Sequence, residues 1–171
     1  VSSLPQAGTF SPARAVSRPI QARLDLAALR HNHRLARERA GGARLWTVVK
    51  ADAYGHGLLR CAEALADEAD GFALLGIEDA ITLREAGIRQ PILLLEGVFA
   101  ESDLPLCAEY GLTPVVHRPG QLQMLRAAAL PVRLPVWLKL NTGMNRLGLS
   151  GEELASLRAD TSASSALTVQ G

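Results

Sequence analysis

Residues 48–57 read VVKADAYGHG, and they place one lysine directly after an apolar, β-branched run. The run ends at Lys50, and Tyr54, Gly55 and Gly57 follow it closely. A lysine at the carboxyl end of a strand lies where parallel α/β folds bind their ligands. Apolar neighbours disfavour the charged form of an amine and leave it nucleophilic. The segment therefore predicts a reactive lysine at the rim of a sheet.

A desolvated ε-amine is the group with which a protein holds an aldehyde cofactor such as pyridoxal phosphate (PLP). Gly55 and Gly57 allow close approach of the backbone, and Tyr54 offers a hydroxyl to a phosphate oxygen. The same residues also fit an ordinary surface lysine before a glycine-containing turn, and the chemistry alone leaves both interpretations open. The spacing of the glycines differs from a dinucleotide-binding loop, because the third glycine is missing.

Outward from this segment, strand-like and helix-like stretches alternate. The predicted strands cover residues 20–24, 45–51, 72–75, 92–96, 112–116 and 136–141, and another begins at 167. A first predicted helix carries Leu26, Leu29, His33 and Arg37 and ends near residues 41–42, and further helices cover residues 58–68, 78–86, 102–109 and 119–128. Nearly all strand residues are apolar, which is typical of a parallel sheet covered on both faces. Two architectures fit: an open doubly wound sheet, and a (β/α)8 barrel of the TIM type. A full barrel takes about 250 residues, so the chain would hold only part of one, with five to six βα units.

A second segment with unusual polarity follows the predicted strand 136–141. On that strand, Trp137, Lys139 and Asn141 share one face. Two polar side chains on an otherwise apolar buried strand need partners, because burying them unpaired is costly. Arg146 follows in the loop, from which its planar fork can reach an anionic ligand. The alternative is that Lys139 extends to solvent and Arg146 caps a surface loop.

Composition and charge exclude several classes of protein. The 171 residues are 48% hydrophobic and carry a net charge of +1, which fits a soluble globular protein and gives no nucleic-acid footprint. No apolar run approaches the length of a membrane span, and no histidine cluster has the spacing of a metal site. Cys61 and Cys107 are predicted to be buried thiols, in keeping with a reducing compartment, the cytoplasm. Residues 1–19 lack periodicity and are expected to be a disordered leader or extension, with the structured part at 20–171.

The segments together identify a family. Residues 48–57 closely resemble the PLP-attachment signature of bacterial alanine racemases, and residues 138–148 (LKLNTGMNRLG) resemble the second signature of the same enzymes. Residues 24–32 (LDLAALRHN) are similar to the segment that opens them. The resemblance extends from about residue 18 to the end, and signatures in the same order are more specific than any one alone. It implies the N-terminal part of a PLP-binding (β/α)8 barrel, a later β-rich domain and a head-to-tail homodimer.

The resemblance also implies roles for single residues. Lys50 would hold PLP as an aldimine and act as the base for the α-proton of D-alanine. Tyr54 would donate to the phosphate of PLP. Arg146 would bind near the phenolic oxygen of the cofactor and the carboxylate of the substrate. Lys139 matches a position that is often carbamylated in the family, where the resulting anion orients the arginine. The implied reaction interconverts L-alanine and D-alanine and supplies D-alanine for cell-wall precursors.

The second base of the family is a tyrosine of the C-terminal domain, contributed across the dimer, and no residue here matches it. We therefore expect a chain derived from an alanine racemase that is not a competent racemase by itself. Three alternatives stand beside this expectation: a PLP-binding carrier or homeostasis protein, a PLP-dependent decarboxylase of the same barrel class, and a non-catalytic remnant. The Arg146 segment disfavours the carrier, which does not need it.

Overall fold

The computed structural model describes residue 20, residues 22–161 (157–161 by their backbone alone) and residues 167–171. The predicted leader, residues 1–19, lies outside these residues. The described strands are β1 (Trp46–Val48), β2 (Gly71–Leu74), β3 (Ile92–Leu94), β4 (Leu112–Val116), β5 (Leu134–Leu138) and β6 (Leu167–Val169). The described helices are α1 (Leu26–Arg39), α2 (Lys50–Gly55), α3 (Leu58–Leu65), α4 (Ile77–Glu85), α5 (Asp103–Glu109), α6 (Pro119–Ala127) and α7 (Gly151–Thr161). The predicted strand 20–24 is wrong, since none of its described residues, 20 and 22–24, lies in a strand. The other predicted strands and all predicted helices have counterparts, whereas α2 and α7 were not predicted.

The order of the strands decides between the two predicted architectures. Within the described residues, one six-stranded sheet has the order β1-β2-β3-β4-β5-β6, and all neighbours are parallel. A doubly wound sheet reverses its strand order at a switch point, whereas the wall of a barrel adds each new strand on the same side. The sheet is therefore part of a barrel wall.

The contact between Trp46 on β1 and Trp137 on β5 confirms that the sheet curls. These strands are four positions apart, and at about 4.8 Å per strand a flat sheet would separate them by about 19 Å. Their ring centroids are only 5.9 Å apart, in an edge-to-face arrangement. The two rings meet across the interior of the curved sheet. The fold is thus a six-stranded part of a (β/α)8 barrel.

The apolar core has two layers, one on each face of the sheet. The outer layer lies between strands and helices, and its buried members include Phe72, Leu74, Ile92, Leu94, Leu112, Leu65, Leu83, Leu104 and Leu122. The inner layer is smaller and consists of Ala73, Leu93 and Val115 with Trp46 and Trp137 packed against them. Apolar residues on both faces explain why the strands lack a polar alternation.

Helix α1 packs against the core through the half-buried Leu29, and polar contacts add to this attachment, since none of its residues is fully buried. Its N-terminus is capped by Asp25, whose carboxylate accepts from two backbone N–H groups. Arg37 donates to the backbone of Glu68 at 2.8 Å and forms an ion pair with Asp70. Asp70 also accepts from the N–H of Leu45, and these bonds lower the pKa of its carboxyl. The pair holds α1 against the start of β1.

Arg84 on α4 joins three consecutive units at the opposite end of the sheet from Lys50. Its guanidinium donates to the carbonyls of Ile88, Gln90 and Tyr110 at 2.7–2.8 Å, and to that of Gly111 at 3.2 Å. Burial is the main cause that lowers the pKa of Arg84.

Among the described residues, no helix is both long and apolar enough to cross a membrane.

Replacement of Arg84 by methionine should destabilise the fold, because the carbonyls lose a charged donor and keep no substitute. Hydrogen bonds to charged groups contribute about 1.5–3 kcal/mol each, and a loss of roughly 2–4 kcal/mol in total is expected. Urea unfolding followed by circular dichroism measures it. Arg89→Met is the matched control, since Arg89 is exposed on the same connection. Equal midpoints for the two variants would contradict the structural role of Arg84.

Candidate active site

Lys50 lies at the carboxyl rim of the sheet, as predicted, but not in a strand. β1 ends at Val48, and Lys50 is the first residue of α2, so the predicted strand 45–51 is wrong at its end. The reason is the backbone that follows: Ala51 to Tyr54 have φ between 51° and 56°, a left-handed turn. Such a backbone cannot continue a pleated strand. Lys50 is half-buried at this junction.

The left-handed turn is held by a set of local hydrogen bonds. Asp52 accepts twice, through its carbonyl from the N–H of Gly57 at 2.9 Å and through its carboxylate from the N–H of Leu58 at 2.7 Å. The second bond satisfies a free N–H group in the first turn of α3. Ala53 donates its N–H to the carbonyl of Val49 at 2.9 Å, and its side chain is buried. Glycine at position 57, with φ +93°, then lets the chain leave the turn and begin α3.

Tyr54 is the last left-handed residue of the turn, and its side chain is 61% exposed. Its predicted role requires a hydroxyl that is open to a ligand, and the exposure is compatible with that. The next residues, Gly55 and Gly57, both have positive φ, so glycine is needed there for the backbone conformation.

Lys139 lies at the same rim, directly after β5. Its Nζ donates to the carbonyl of Leu95, after β3, at 2.8 Å. Its pKa is lowered, first by burial and then by the charges of Arg146 and Lys50, while the carboxylate of Glu96 raises it. These influences show that Lys50, Lys139 and Arg146 occupy one electrostatic neighbourhood. The Lys139 amine therefore has a hydrogen-bond partner in the structure, although Lys139 lies after β5 and not within it as predicted.

Arg146 is exposed in the loop after β5, and Asn141 shapes that loop. The Asn141 side-chain oxygen accepts from the N–H groups of Gly143 and Asn145, both at 3.1 Å. Asn141 therefore organises its own loop, and its predicted place beside Lys139 on a strand is wrong because β5 ends at Leu138. Gly148 closes the loop: a Cβ there would lie 2.4 Å from the backbone nitrogen of Asn141.

A cavity of about 270 Å³ lies beside Arg146. Its lining residues include Glu96, His117, Arg118, Gln121 and Phe99. None of His117, Glu96 and Gln121 is among the site residues that the sequence predicts. Burial is the main cause that lowers the pKa of His117, and the charge of Lys139 adds to it. These residues follow β3 and β4. Their positions directly after apolar runs were the sequence feature that could have indicated a place at the rim.

The structure brings together Lys50, Lys139 and Arg146 at the carboxyl rim of the sheet. Tyr54 is exposed in the left-handed turn that follows Lys50. A cationic rim of this kind suits an anionic ligand such as a phosphate or a carboxylate. Lys50 and Lys139 are also the only two lysines of the chain, a feature of the sequence that could have drawn attention to both positions. Within the described ranges, no three His, Cys, Asp or Glu side chains form a group that could hold a metal ion.

The comparisons with known proteins agree with this geometry. A family model described as "Alanine racemase, N-terminal domain" matches residues 24–171. The alanine racemase of Azoarcus sp. strain BH72 is 55% identical over 139 residues, which are 81% of this chain and 39% of the relative. The catabolic alanine racemase of Pseudomonas aeruginosa is 57% identical over 139 residues, with the same coverage of 81% and 39%.

Solved structures give the same answer. The biosynthetic alanine racemase from Pseudomonas aeruginosa matches with a TM-score of 0.79 and 39% identity, over 84% of this chain and 41% of that one. A histidine racemase from Leuconostoc mesenteroides matches with a TM-score of 0.73 and 30% identity, over 83% of this chain and 39% of that one. The chain spans about two fifths of the length of these relatives. It belongs to the alanine racemase family and corresponds to the N-terminal domain of that family.

Proposed function

We propose that this chain is the PLP-binding part of an alanine racemase, an isomerase that interconverts L-alanine and D-alanine. The observation that supports the proposal most is the meeting of Lys50, Lys139 and Arg146 at the carboxyl rim of the barrel. A PLP carrier needs one lysine and a phosphate site, whereas an enzyme also needs a group for the substrate carboxylate. Arg146, exposed beside the two lysines, meets that need.

The residues present fit PLP. The cofactor is an aldehyde that carries a phosphate and a phenolic oxygen, so its site needs an amine and positive charge. Lys50 supplies a half-buried amine after an apolar strand. Lys139 and Arg146 supply cationic groups near it. Tyr54 supplies an exposed hydroxyl as a donor to phosphate.

Each of these residues has a proposed part in the reaction. PLP, when bound, supplies an electron sink that makes the α-proton of an amino acid acidic. Lys50 holds the cofactor covalently, and its free amine accepts and returns the proton at the α-carbon on the face of D-alanine. Arg146 binds and orients the carboxylate of the substrate with its planar fork. Tyr54 donates to the phosphate and keeps the cofactor in place.

Lys139 is proposed to be carbamylated. An amine reacts with CO₂ only in its neutral form, and burial favours that form of Lys139. The ammonium form first loses one proton, and the neutral nitrogen then forms a bond to the carbon of CO₂ and releases a second proton, so a cation becomes an anion with the loss of two protons. The product would be attracted to Arg146, which unmodified Lys139 repels.

The remaining parts of the proposal concern the whole protein. Alanine is the proposed substrate because the curated relatives are named alanine racemases. A structural relative is named a histidine racemase, so the barrel alone does not fix the amino acid. A homodimer and a cytoplasmic location belong to the same proposal.

Reductive trapping tests the role of Lys50. The chain is mixed with PLP, reduced with borohydride and mapped by mass spectrometry. Because Lys50 and Lys139 are the only ε-amines, the product distribution is easily read. We expect modification of Lys50 to exceed that of Lys139 at least tenfold, a preference of about 1.4 kcal/mol.

The controls keep the charge at each position. Lys139→Arg should retain the modification at Lys50, and Lys50→Arg should lose it. The same chain in concentrated urea shows the preference of the unfolded state. Equal labelling of both lysines in the folded and the unfolded chain would overturn the assignment of Lys50.

Exchange at the α-carbon tests whether the site is that of a racemase or of a carrier. The chain is incubated with PLP in D₂O, with D-alanine or L-alanine, and ¹H NMR follows the loss of the α-proton signal. We expect D-alanine to exchange faster than L-alanine, because Lys50 serves one face of the α-carbon. Lys50→Arg should reduce exchange to the rate of free PLP. Equal exchange of both enantiomers at that rate in the unaltered chain would favour a carrier.

Carbon-13 NMR tests the carbamylation of Lys139. In buffer with ¹³C-labelled bicarbonate, we expect one carbamate signal that is lost in Lys139→Gln and kept in Lys50→Arg. The signal should weaken as the pH falls, because protonation of the amine removes the reactive form. A spectrum that is the same for the unaltered chain and Lys139→Gln would contradict the proposal.

A further inference from the structure

Gln121 is a buried polar residue that the proposed reaction does not use. It lies in the first turn of α6, and its side chain is only 1% exposed. Both kinds of atom in its carboxamide have partners. Nε2 donates to the carbonyls of Glu96 at 2.7 Å and Val98 at 3.2 Å, and Oε1 accepts from the N–H of His117 at 3.0 Å. One side chain thus joins the segments that follow β3 and β4.

The backbone around this carboxamide has no spare room. Gly97 has φ +70°, and a Cβ at this position would lie 2.2 Å from the carbonyl oxygen of Val115 and 2.7 Å from Nε2 of Gln121. His117 adds a contact from its ring, with Nε2 3.1 Å from the carbonyl oxygen of Glu96. The carbonyl of Glu96 is therefore contacted by both Gln121 and His117, and that of Val98 by Gln121. These contacts restrict the conformations that residues 96–98 can adopt.

The same segment provides the surroundings of Lys139. The carbonyl of Leu95 accepts from Nζ of Lys139 at 2.8 Å, and the next residue, Glu96, supplies the carboxylate that raises its pKa. The N–H of Lys139 also donates to the carbonyl of Val116, beside the residue whose N–H is bound by Gln121. The partners of Lys139 and those of Gln121 are thus adjacent along the chain at two places, directly after β3 and at the end of β4.

We propose that Gln121 is a positioning residue for Lys139: its buried carboxamide fixes residues 95–98 so that the Leu95 carbonyl and the Glu96 carboxylate face the Lys139 amine. The inference rests on the proposed function in one respect, since it takes Lys139 as a residue of the site. Gln121 acts through the backbone, because its carboxamide hydrogen-bonds to the main chain of Glu96, Val98 and His117.

The direction of the effect follows from the groups around Lys139. Four groups interact electrostatically with it: Glu96 in the segment after β3, His117 directly after β4, Arg146 in the loop after β5, and Lys50 at the start of α2. Burial is the largest influence and lowers the pKa of Lys139, while Glu96 opposes it. A loosened segment would admit water and also move Glu96 away. Since burial is the larger of the two, the net change should be upward.

The test is the pH profile of Lys139 acetylation in Gln121→Met, with Gln123→Met as the matched control. Methionine has a similar length but offers no hydrogen bonds to the backbone, and Gln123 is exposed on the same helix. Trace acetic anhydride labels the folded 171-residue chain at each pH, with a lysine peptide as internal standard, and mass spectrometry measures Lys139. The midpoint should rise in Gln121→Met, toward the ordinary lysine value, and stay in place in Gln123→Met.

A merely structural Gln121 would lower the unfolding midpoint without moving the labelling midpoint, and that result in the folded variant would overturn the inference. If Gln121→Met does not fold, Gln121→Asn decides by the same criterion, because it keeps the amide but shortens its reach by one methylene. The assay contains no PLP. A failure here therefore leaves the trapping of Lys50 unaffected, and a failure of trapping leaves this result intact.

Discussion

The curl of the sheet is the constraint on which the site depends. In a parallel sheet with strands in sequence order, the residues after each strand all lie at one rim. In a flat sheet, however, the groups after β1 and β5 would be about 19 Å apart, too far to share a ligand. The contact between Trp46 and Trp137, at 5.9 Å, shows how far the curvature closes that distance. Because of this curvature, Lys50 after β1 is near enough to Lys139 after β5 for its charge to lower the pKa of that lysine.

The left-handed turn after Lys50 is the second constraint, and it is costly. Each residue in this conformation costs roughly 1–2 kcal/mol, so four of them cost about 4–8 kcal/mol, a large part of the stability of an ordinary domain. The bonds from Asp52 to Gly57 and Leu58 and the burial of Ala53 oppose that cost. Strain of this size persists only where the surroundings impose it, and it is typical of functional sites. Here it ends β1 early and leads the chain directly from Lys50 into α3.

The sequence predicted the parts of this structure that depend on local pattern. Apolar runs located the strands, and the position of Lys50 after one of them placed it at the rim. The left-handed turn was not predicted, because alanine and aspartate give no local signal for positive φ, and only the structure shows what holds them. Gln121 and Glu96 were not predicted either. Their importance lies in contacts across two βα units, and an amide three residues into a helix looks like a surface residue until its burial is known.

The lysines and arginines of the chain differ in where they lie, and this difference follows from their chemistry. Of the eighteen Lys and Arg residues, sixteen are arginine, and the two lysines are both at the rim of the barrel. Arginine keeps its charge in proteins, so it serves for fixed contacts such as those of Arg37 and Arg84. An amine can lose its proton when it is buried, and only the neutral amine forms a bond to an aldehyde or to CO₂. Burial of Lys139 beside two other cations favours that neutral form, while Glu96 limits the effect. The two lysines of the chain thus lie where the proposed chemistry needs an amine, and all other basic side chains are arginines of fixed charge.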